Sequence, residues 1–262
     1  MNPESDTPIV EPEEPAKSTA FLSRPRTKQI LWAGAAVAVL ILFLFIAAAL
    51  IDFLRNPPGQ IGWWKFDEHR GMTAKDSSHL FLGNNGKLAE EPKWVKGKRG
   101  GALQFDGSQY VELGEIFQGS YNEISIACWI KHGTSQWQEI VERAVWDQPD
   151  GIGLMTDYNG TSVTFGHYPS PQIKSKANVQ DNQWHHVAGT MAKSGDDYIY
   201  SIYVDGQLDG TVTNATGLTA TTLGWAIGAR YDGTWNYQGL IDDVRIFNHA
   251  LTPLEVRKLY QP

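Results

Sequence analysis

Paired carboxylates are the first groups in this sequence with a chemistry suited to catalysis. A retaining glycoside hydrolase needs an acid and a nucleophile about 5–5.5 Å apart, and residues two apart on one strand face the same way. Glu139 and Glu142 are three apart, and the pairs Asp242–Asp243 and Asp196–Asp197 are adjacent. Regular alternation would turn the members of each pair to opposite faces. We therefore predict that the protein is not an enzyme.

The histidines and the cysteine give no stronger case for a metal or a base. His185 and His186 are neighbours, so a strand would point them to opposite sides. The remaining histidines lack the H-x-x-x-H and H-E-x-x-H spacings. Cys128 is the single cysteine, which excludes an intrachain disulfide and C-x-x-C zinc spacing. Its alternation with Ile126 and Ile130 predicts that Cys128 faces the core.

Aromatic residues in predicted loops and at predicted strand ends are the more promising feature. Their rings can stack on the apolar C–H face of a sugar, while neighbouring side chains such as Asp232 and Asn236 bond its hydroxyls. The alternative is that the rings fill the core, as large aromatic residues commonly do. The residues that we assign to ligand binding are Trp137, Trp146, Tyr168, Trp225 and Trp235.

The N-terminal part of the chain predicts a membrane anchor. Residues 1–28 contain few large apolar side chains and are predicted to be a disordered cytoplasmic tail. Residues 29–54 are predicted to form a transmembrane helix. Its uncharged core, Ile30–Ile51, would span about 33 Å at a rise of about 1.5 Å per residue, enough for a bilayer core of about 30 Å.

The charges on either side of this segment predict its orientation. The basic residues before it outnumber the lone Arg55 after it, which keeps the N-terminus in the cytoplasm and the C-terminal domain outside it. A cleaved signal peptide is the alternative, because Ala47–Ala49 offers small residues for cleavage. The predicted protein is a single-pass membrane protein with an extracytoplasmic domain over residues 55–262.

The composition and pattern of this domain predict many short strands. The whole chain has ten Trp, ten Tyr, ten Phe and 26 Gly, a composition that suits strands joined by tight turns. At its end, Leu240–Phe247 alternates with period 2, and we expect Val244 and Ile246 to face the core. Thr252 and Glu255 then form a capping box that begins a short helix. The first strand, beginning at Ile61, is expected to pair with the last.

Four motifs follow one another along this domain: Trp63–Glu68, Ala102–Gly107, Trp184–Thr190 with Tyr203–Gly206, and Gly239–Leu251 with Glu255–Tyr260. The residues of these motifs and their order along the chain resemble those of the laminin G-like, concanavalin A-like jellyroll family from about Gly59 to Pro262. The resemblance implies an all-β, two-sheet antiparallel jellyroll sandwich with a short C-terminal helix, preceded here by the transmembrane helix.

The function implied by this resemblance is broader, because the fold carries lectins, adhesion modules and hydrolases. We expect a membrane-anchored, non-catalytic binding module for glycan recognition or adhesion. A module for protein–protein interaction or surface structure stays open, as does a glycoside hydrolase. The expected partners are the membrane and a glycan or extracellular protein. A net charge of −7 without a basic stripe argues against nucleic acid.

The resemblance also implies a structural calcium ion, since many family members carry one. Calcium prefers six to eight oxygen ligands from carboxylates, amides and turn carbonyls. Among the acidic residues at predicted strand ends, Asp76, Asp106 and Asp242 are the expected ligands. The alternative is that these carboxylates cap turns, accept backbone N–H bonds or pair with Lys65 and Arg245.

Overall fold

A computed structural model describes residues 37–47, 59–78, 83–117, 122–143, 151–166, 172–214, 217–218 and 223–261. The chain divides into two units, residues 1–50 and 51–262. In the first, residues 37–47 form helix α1, whose apolar side chains are exposed from residue 37 to residue 46. Among the described residues, no helix combines the length and apolarity needed to cross a membrane. The predicted tail and most of the predicted span lie outside them.

The second unit is built almost entirely from β-strands, with one short helix near its end. Turn residues separate short runs of β-branched and aromatic residues, and this pattern favours strands. The strands are β1 Gln60–Trp64, β2 Thr73–Ala74, β3 Gly86–Leu88, β4 Lys93–Lys96, β5 Gly101–Asp106, β6 Val111–Gly114, β7 Glu123–Lys131, β8 Glu139–Arg143, β9 Ile152–Thr156, β10 Val163–Gly166, β11 Gln172–Lys174, β12 His185–Ser194, β13 Asp197–Val204, β14 Gln207–Asn214, β15 Trp225–Ile227 and β16 Gln238–Phe247; helix α2 is Pro253–Tyr260.

The strands form two antiparallel sheets of eight strands each. The first sheet has the order β14-β13-β12-β7-β16-β5-β4, and β1 also pairs with β16. The second sheet has the order β11-β10-β9-β8-β15-β6-β3-β2. The predicted pairing of the first and last strands is confirmed, with Trp64 opposite Val244. The two-sheet antiparallel sandwich expected from the sequence is thus present.

The core lies between the sheets and takes alternate residues from their strands. Phe105, Ile126, Val187 and Ile246 belong to this cluster and are buried, as the alternation of side chains along a strand allows. Cys128 is also enclosed there, and burial raises the pKa of its thiol. The prediction that Cys128 is an apolar core residue is confirmed.

A bulge in β16 changes which residues of this strand face the core. Asp242 pairs with Trp129 and Arg245 with Ala127, so β16 has one residue more than β7 between these pairs. Asp243 adopts a left-handed conformation there, with φ of 51°. Val244 and Ile246 face the core, as predicted. The core residue that precedes them on β16 is Ile241 and not Leu240. An uninterrupted period of 2 is therefore wrong for this strand.

Helix α2 covers the outer face of the first sheet and creates a second apolar cluster. Thr252 caps the helix and forms the predicted capping box with Glu255. Val256 and Leu259 of α2 pack with Phe247 and other side chains of the outer sheet face. Because α2 buries a face that would otherwise meet water, both faces of the central strands carry apolar residues.

Two tryptophans of the first sheet do not lie between the sheets. Trp129 is buried, but it lies on the outer face, stacked on Tyr260 with ring centroids 5.5 Å apart. Trp63 is only half-buried, and its ring lies between the cations of Lys65 and Arg245, each 3.9 Å from the ring centroid. Its neighbour Trp64 fills the core instead, because side chains alternate along β1.

We expect the bulge to be visible in unfolding experiments on β16. Val244→Ala removes two methyl groups from the enclosed core and should lower the free energy of unfolding by about 1–3 kcal/mol. Leu240→Ala, in the same strand but outside the core cluster, should have a smaller effect. Urea unfolding of both variants measures the difference. A larger loss for Leu240→Ala would contradict the assigned faces.

Candidate functional site

Three connections at one end of the sandwich form a cleft with aromatic walls. The β7–β8 connection supplies Trp137, the β9–β10 turn supplies Tyr158, and the β15–β16 connection supplies Trp235 and Asn236. We call this the aromatic cleft; Ser135 and Gln136 complete its lining. Its volume is about 390 Å³. Two of the residues that the sequence assigned to ligand binding, Trp137 and Trp235, are thus brought together.

Hydrogen bonds to neighbouring strands fix the β7–β8 connection that carries Trp137. The Thr156 side chain donates to the Gln136 carbonyl at 2.8 Å, and the Thr156 N–H donates to the Gln138 carbonyl at 2.9 Å. The indole Nε1–H of Trp137 donates to Glu139 at 2.7 Å. Because both backbone and ring are held, the ring has a defined orientation before any ligand arrives.

The β9–β10 turn places Tyr158 beside Trp137, with ring centroids 4.9 Å apart and planes tilted by 49°. The turn is closed by the Gly160 N–H, which donates to the Asp157 carbonyl at 2.8 Å. Gly160 has φ of 72°, and a Cβ there would lie 2.0 Å from the Thr134 carbonyl oxygen. Glycine therefore allows this turn to lie against the β7–β8 connection. Tyr158 remains 74% exposed.

Trp235 is held in an unusual backbone conformation, with φ of 57°. A left-handed conformation costs energy for a bulky residue and needs support from its surroundings. The Trp235 carbonyl accepts the Glu139 N–H at 2.9 Å, and the preceding Thr234 is bonded by Arg230 through backbone and side chain. The ring is 43% exposed despite this rigid support. A large apolar group is thus held toward solvent.

The chemistry of the aromatic cleft is that of an uncharged surface. Among the residues that the structure describes, its lining side chains are aromatic rings, amides and a hydroxyl, without a carboxylate or a cation. Such groups offer apolar faces for stacking together with donors and acceptors for hydroxyl groups. The cleft therefore matches an uncharged ligand that has both an apolar face and polar edges.

The other residues assigned to ligand binding are not part of this cleft as described. Trp146 and Tyr168 lie outside the described residues. Trp225 is fully buried in the core between the sheets. Its assignment to a ligand site is wrong, because the central strand β15 turns its ring inward. Tyr158 provides the third ring of the cleft instead. It is one of the aromatic residues in predicted loops, the feature on which the ligand-binding prediction was based.

The Glu139 and Glu142 side chains do not have the relative orientation that the sequence predicted. Ile140 is an extra residue on β8, so Glu139 pairs with Met155 and Glu142 pairs with Gly153. Their partners are two apart on β9, and the bulge therefore brings both glutamates to the same face. Both are nevertheless buried, and burial raises the pKa of Glu142 to about 8. The predicted opposite orientation is wrong, yet neither carboxylate lines the aromatic cleft.

The two adjacent histidines occupy different environments, as predicted. His185 bridges two carboxylates, with Nδ1 2.9 Å from Asp205 and Nε2 3.1 Å from Asp181. These contacts raise its pKa, with the Asp205 hydrogen bond as the main cause. His186 is buried beside Trp129, and burial lowers its pKa to about 4. The two rings therefore do not form one site.

The three predicted calcium ligands do not fit a shared calcium site. Asp76 accepts the N–H groups of Trp63 and Asn84, and Asp106 pairs with Lys93 at 2.7 Å. Asp242 accepts the Arg99 N–H at 2.8 Å. Over the described ranges, no group of three or more His, Cys, Asp or Glu side chains is arranged to hold a metal ion. Calcium binding stays a prediction that these contacts do not support.

Asp242 has a different chemical consequence, because it is a fully buried carboxyl group. Burial raises its pKa to about 7; the Arg99 N–H opposes this shift and the charge of Asp243 adds to it. A carboxyl pKa raised on folding contributes stability below its unfolded value of about 4. That contribution is lost as the pH rises through about 7.

We therefore expect Asp242→Asn to weaken the pH dependence of the melting temperature between pH 4 and pH 8. The variant should gain stability relative to the unmodified protein as the pH rises. Asp106→Asn is the control, because bonds from Lys93 lower the pKa of that exposed carboxyl. Melting in EDTA and in millimolar calcium completes the measurement. A calcium-dependent rise that Asp242→Asn abolishes would restore the predicted metal site.

Comparison with known proteins identifies the family. Residues 105–257 match the model of the concanavalin A-like lectin/glucanases superfamily. The mouse protein named sushi, von Willebrand factor type A, EGF and pentraxin domain-containing protein 1 is 25% identical over 146 residues. That match covers 52% of this chain and 4% of the mouse protein. The chain thus corresponds to a small part of this long relative.

Solved structures share the fold at low identity. Domain 4 of AbnA, a GH43 extracellular arabinanase from Geobacillus stearothermophilus solved with arabinotriose, is 24% identical, with a TM-score of 0.59. The match covers 77% of this chain and 98% of that domain. The receptor binding domain of botulinum neurotoxin D is 14% identical with a TM-score of 0.54, covering 77% of this chain and 52% of that one. The sandwich and the family match over more than half of the sequence agree, and the chain belongs to the concanavalin A-like lectin/glucanases superfamily.

Proposed function

We propose that the β-sandwich is a non-catalytic glycan-binding module and that the aromatic cleft is its binding site. The observation that carries this proposal is the meeting of Trp137, Tyr158 and Trp235 in one open cleft. Three separate loops supply the rings, and hydrogen bonds orient them without burying them. A sugar ring can stack on such a surface while Gln136 and Asn236 bond its hydroxyls.

Exposure of the aromatic rings distinguishes this surface from an ordinary part of the core. Tyr158 and Trp235 keep 74% and 43% of their surface accessible, although large aromatic side chains gain stability from burial. The left-handed backbone conformation of Trp235 is a second feature of this cleft that costs conformational energy. A binding role accounts for both features. The arabinotriose bound to the related arabinanase domain supports a glycan as ligand on this fold.

The positions of the carboxylates support binding of a glycan without its hydrolysis. Glu139 and Glu142 share a face, but both are buried, and a general acid must reach the glycosidic oxygen. Within the described ranges, no carboxylate lines the aromatic cleft itself. A ligand in the cleft would therefore meet stacking and hydrogen-bonding groups, without an acid–nucleophile pair.

We expect Trp235→Ala and Tyr158→Ala each to weaken glycan binding about tenfold or more, since each removes a stacking surface. A glycan array that includes arabinotriose identifies a ligand, and titration calorimetry with that ligand measures the loss. Thermal melting should change little, because both rings are exposed.

Leu254→Ala is the matched control, because it removes an exposed apolar side chain on α2, outside the cleft. Its affinity should equal that of the unmodified protein. Glycan binding that survives loss of both rings would place the site elsewhere. Absence of glycan binding together with saturable binding to a protein ligand would favour the protein-interaction alternative.

The module is proposed to sit on a single-pass anchor with its N-terminus in the cytoplasm. The support is the uncharged segment Ile30–Ile51 and the exposed apolar surface of α1 within it. A helix that is apolar on every side has no face suited to water, and the basic residues before the segment set its orientation. A glycan module outside the cytoplasm would then meet its ligand at the cell surface.

Carbonate washing of membranes should leave the full-length protein in the pellet, because an apolar span is held by the bilayer and not by charge. Protease added to intact cells should remove the sandwich and spare the first 28 residues. A soluble product that begins near Leu50 would show cleavage instead and contradict the anchor.

A further inference from the structure

A second cleft borders the aromatic cleft and shares the β7–β8 connection with it. Its volume is about 350 Å³. Residues 132–134 line this second cleft, whereas residues 135–137 line the aromatic one. We call it the polar cleft, after its lining side chains Gln104, Lys131, His132, Thr134, Asn182 and Gln238.

These six side chains share one property that sets them apart. None of them forms a hydrogen bond or an ion pair with another side chain or backbone group of the described residues. His132 is 1% exposed, and both of its ring nitrogens are buried, as is the Thr134 hydroxyl. Buried polar groups usually have partners, so the buried His132 and Thr134 groups call for a bound group or water, whereas Gln104, Lys131 and Gln238 are half-buried and Asn182 is exposed. The polar cleft is therefore prepared for a ligand with many donors and acceptors.

The neutral state of His132 restricts which chemical groups of a ligand can bond to it. Burial lowers the pKa of His132 to about 4, so the ring is uncharged at neutral pH. A neutral imidazole has one donor and one acceptor nitrogen, and a hydroxyl group can match either of them. The amides of Gln104, Asn182 and Gln238 likewise both donate and accept. Sugar hydroxyls provide this combination.

Lys131 supplies the only charge among the described residues that line the polar cleft. Two acidic residues next to lining residues in the sequence are engaged elsewhere, since Asp106 pairs with Lys93 and Asp181 with His185. Lys131 itself has no ion pair with any residue in the described part of the chain. An uncompensated cation beside buried polar groups attracts an anion more strongly than it would in open water. The two neighbouring clefts thus differ in charge.

We propose that the polar cleft is a second subsite that binds a carboxylate-bearing sugar residue, so that the full site takes an acidic polysaccharide. Lys131 pairs with the sugar carboxylate, and the amides with Thr134 bond its hydroxyls. The aromatic cleft stacks the adjoining residue of the same chain. This inference rests on the proposed glycan-binding function and extends it to uronic-acid polymers.

The test compares uronic-acid oligosaccharides with their methyl esters, which have the same backbone without the charge. Calorimetry on the full-length chain in mild detergent would use galacturonate, mannuronate and glucuronate-containing oligomers. At least one acid should bind about tenfold more tightly than its ester, and salt should reduce the difference. Lys131→Met should abolish the preference, whereas Trp235→Ala should weaken acid and ester alike.

Lys258→Met is the matched control, because it removes an exposed lysine on α2 outside both clefts and should keep the preference. Melting temperatures check that each variant is folded. Equal affinity for acid and ester, or a preference that survives Lys131→Met, would overturn the polar subsite. If only neutral glycans bind and Trp235→Ala abolishes that binding, the proposed function stands and the polar subsite fails. If no glycan of either kind binds, the proposed function fails with it.

Discussion

The position of β16 is the constraint on which the rest of the sandwich depends. This strand pairs with β7 on one side and with both β5 and β1 on the other, so it joins the first and last parts of the domain. Its bulge at Asp243 sets Val244 and Ile246 in the core while Arg245 and Phe247 face outward. Without this extra residue, a strand of the same sequence would turn polar groups inward over half its length.

The bulge also organises the outer face of the first sheet. Asp243, freed from regular pairing, bonds Arg99 at 2.9 Å and Arg245 at 3.2 Å. Arg99 in turn donates to backbone carbonyls at the end of α2, at Leu259 and Gln261. The C-terminal helix is therefore held both by its apolar contacts and by a charge network that begins at the bulge. A buried network of this kind stabilises only when its members are all paired.

The two clefts depend on the sheets in a different way. The sheets fix where the three connections begin and end, and side-chain-to-backbone hydrogen bonds then set the shape of each connection. The β7–β8 connection is the element common to both clefts, since its first residues line one and its next residues line the other. An uncharged aromatic surface and a cationic polar surface thus lie side by side. The proposed two-part glycan site would use both surfaces.

The sequence by itself predicted the family, the strand-rich sandwich, the pairing of the end strands and the capped helix at Thr252. These features depend on local periodicity, turn residues and motif order, which a single chain displays directly. It also predicted two rings of the aromatic cleft, Trp137 and Trp235, because both lie in turn-rich stretches. Only the tertiary structure decided that Trp225 is core, that bulges reverse the faces around Asp243 and Ile140, and that Lys131 and His132 line a cleft with Asn182 and Gln238. The physical reason is that one extra residue inverts every side chain beyond it, and residues far apart in the chain meet only when the sheets are assembled.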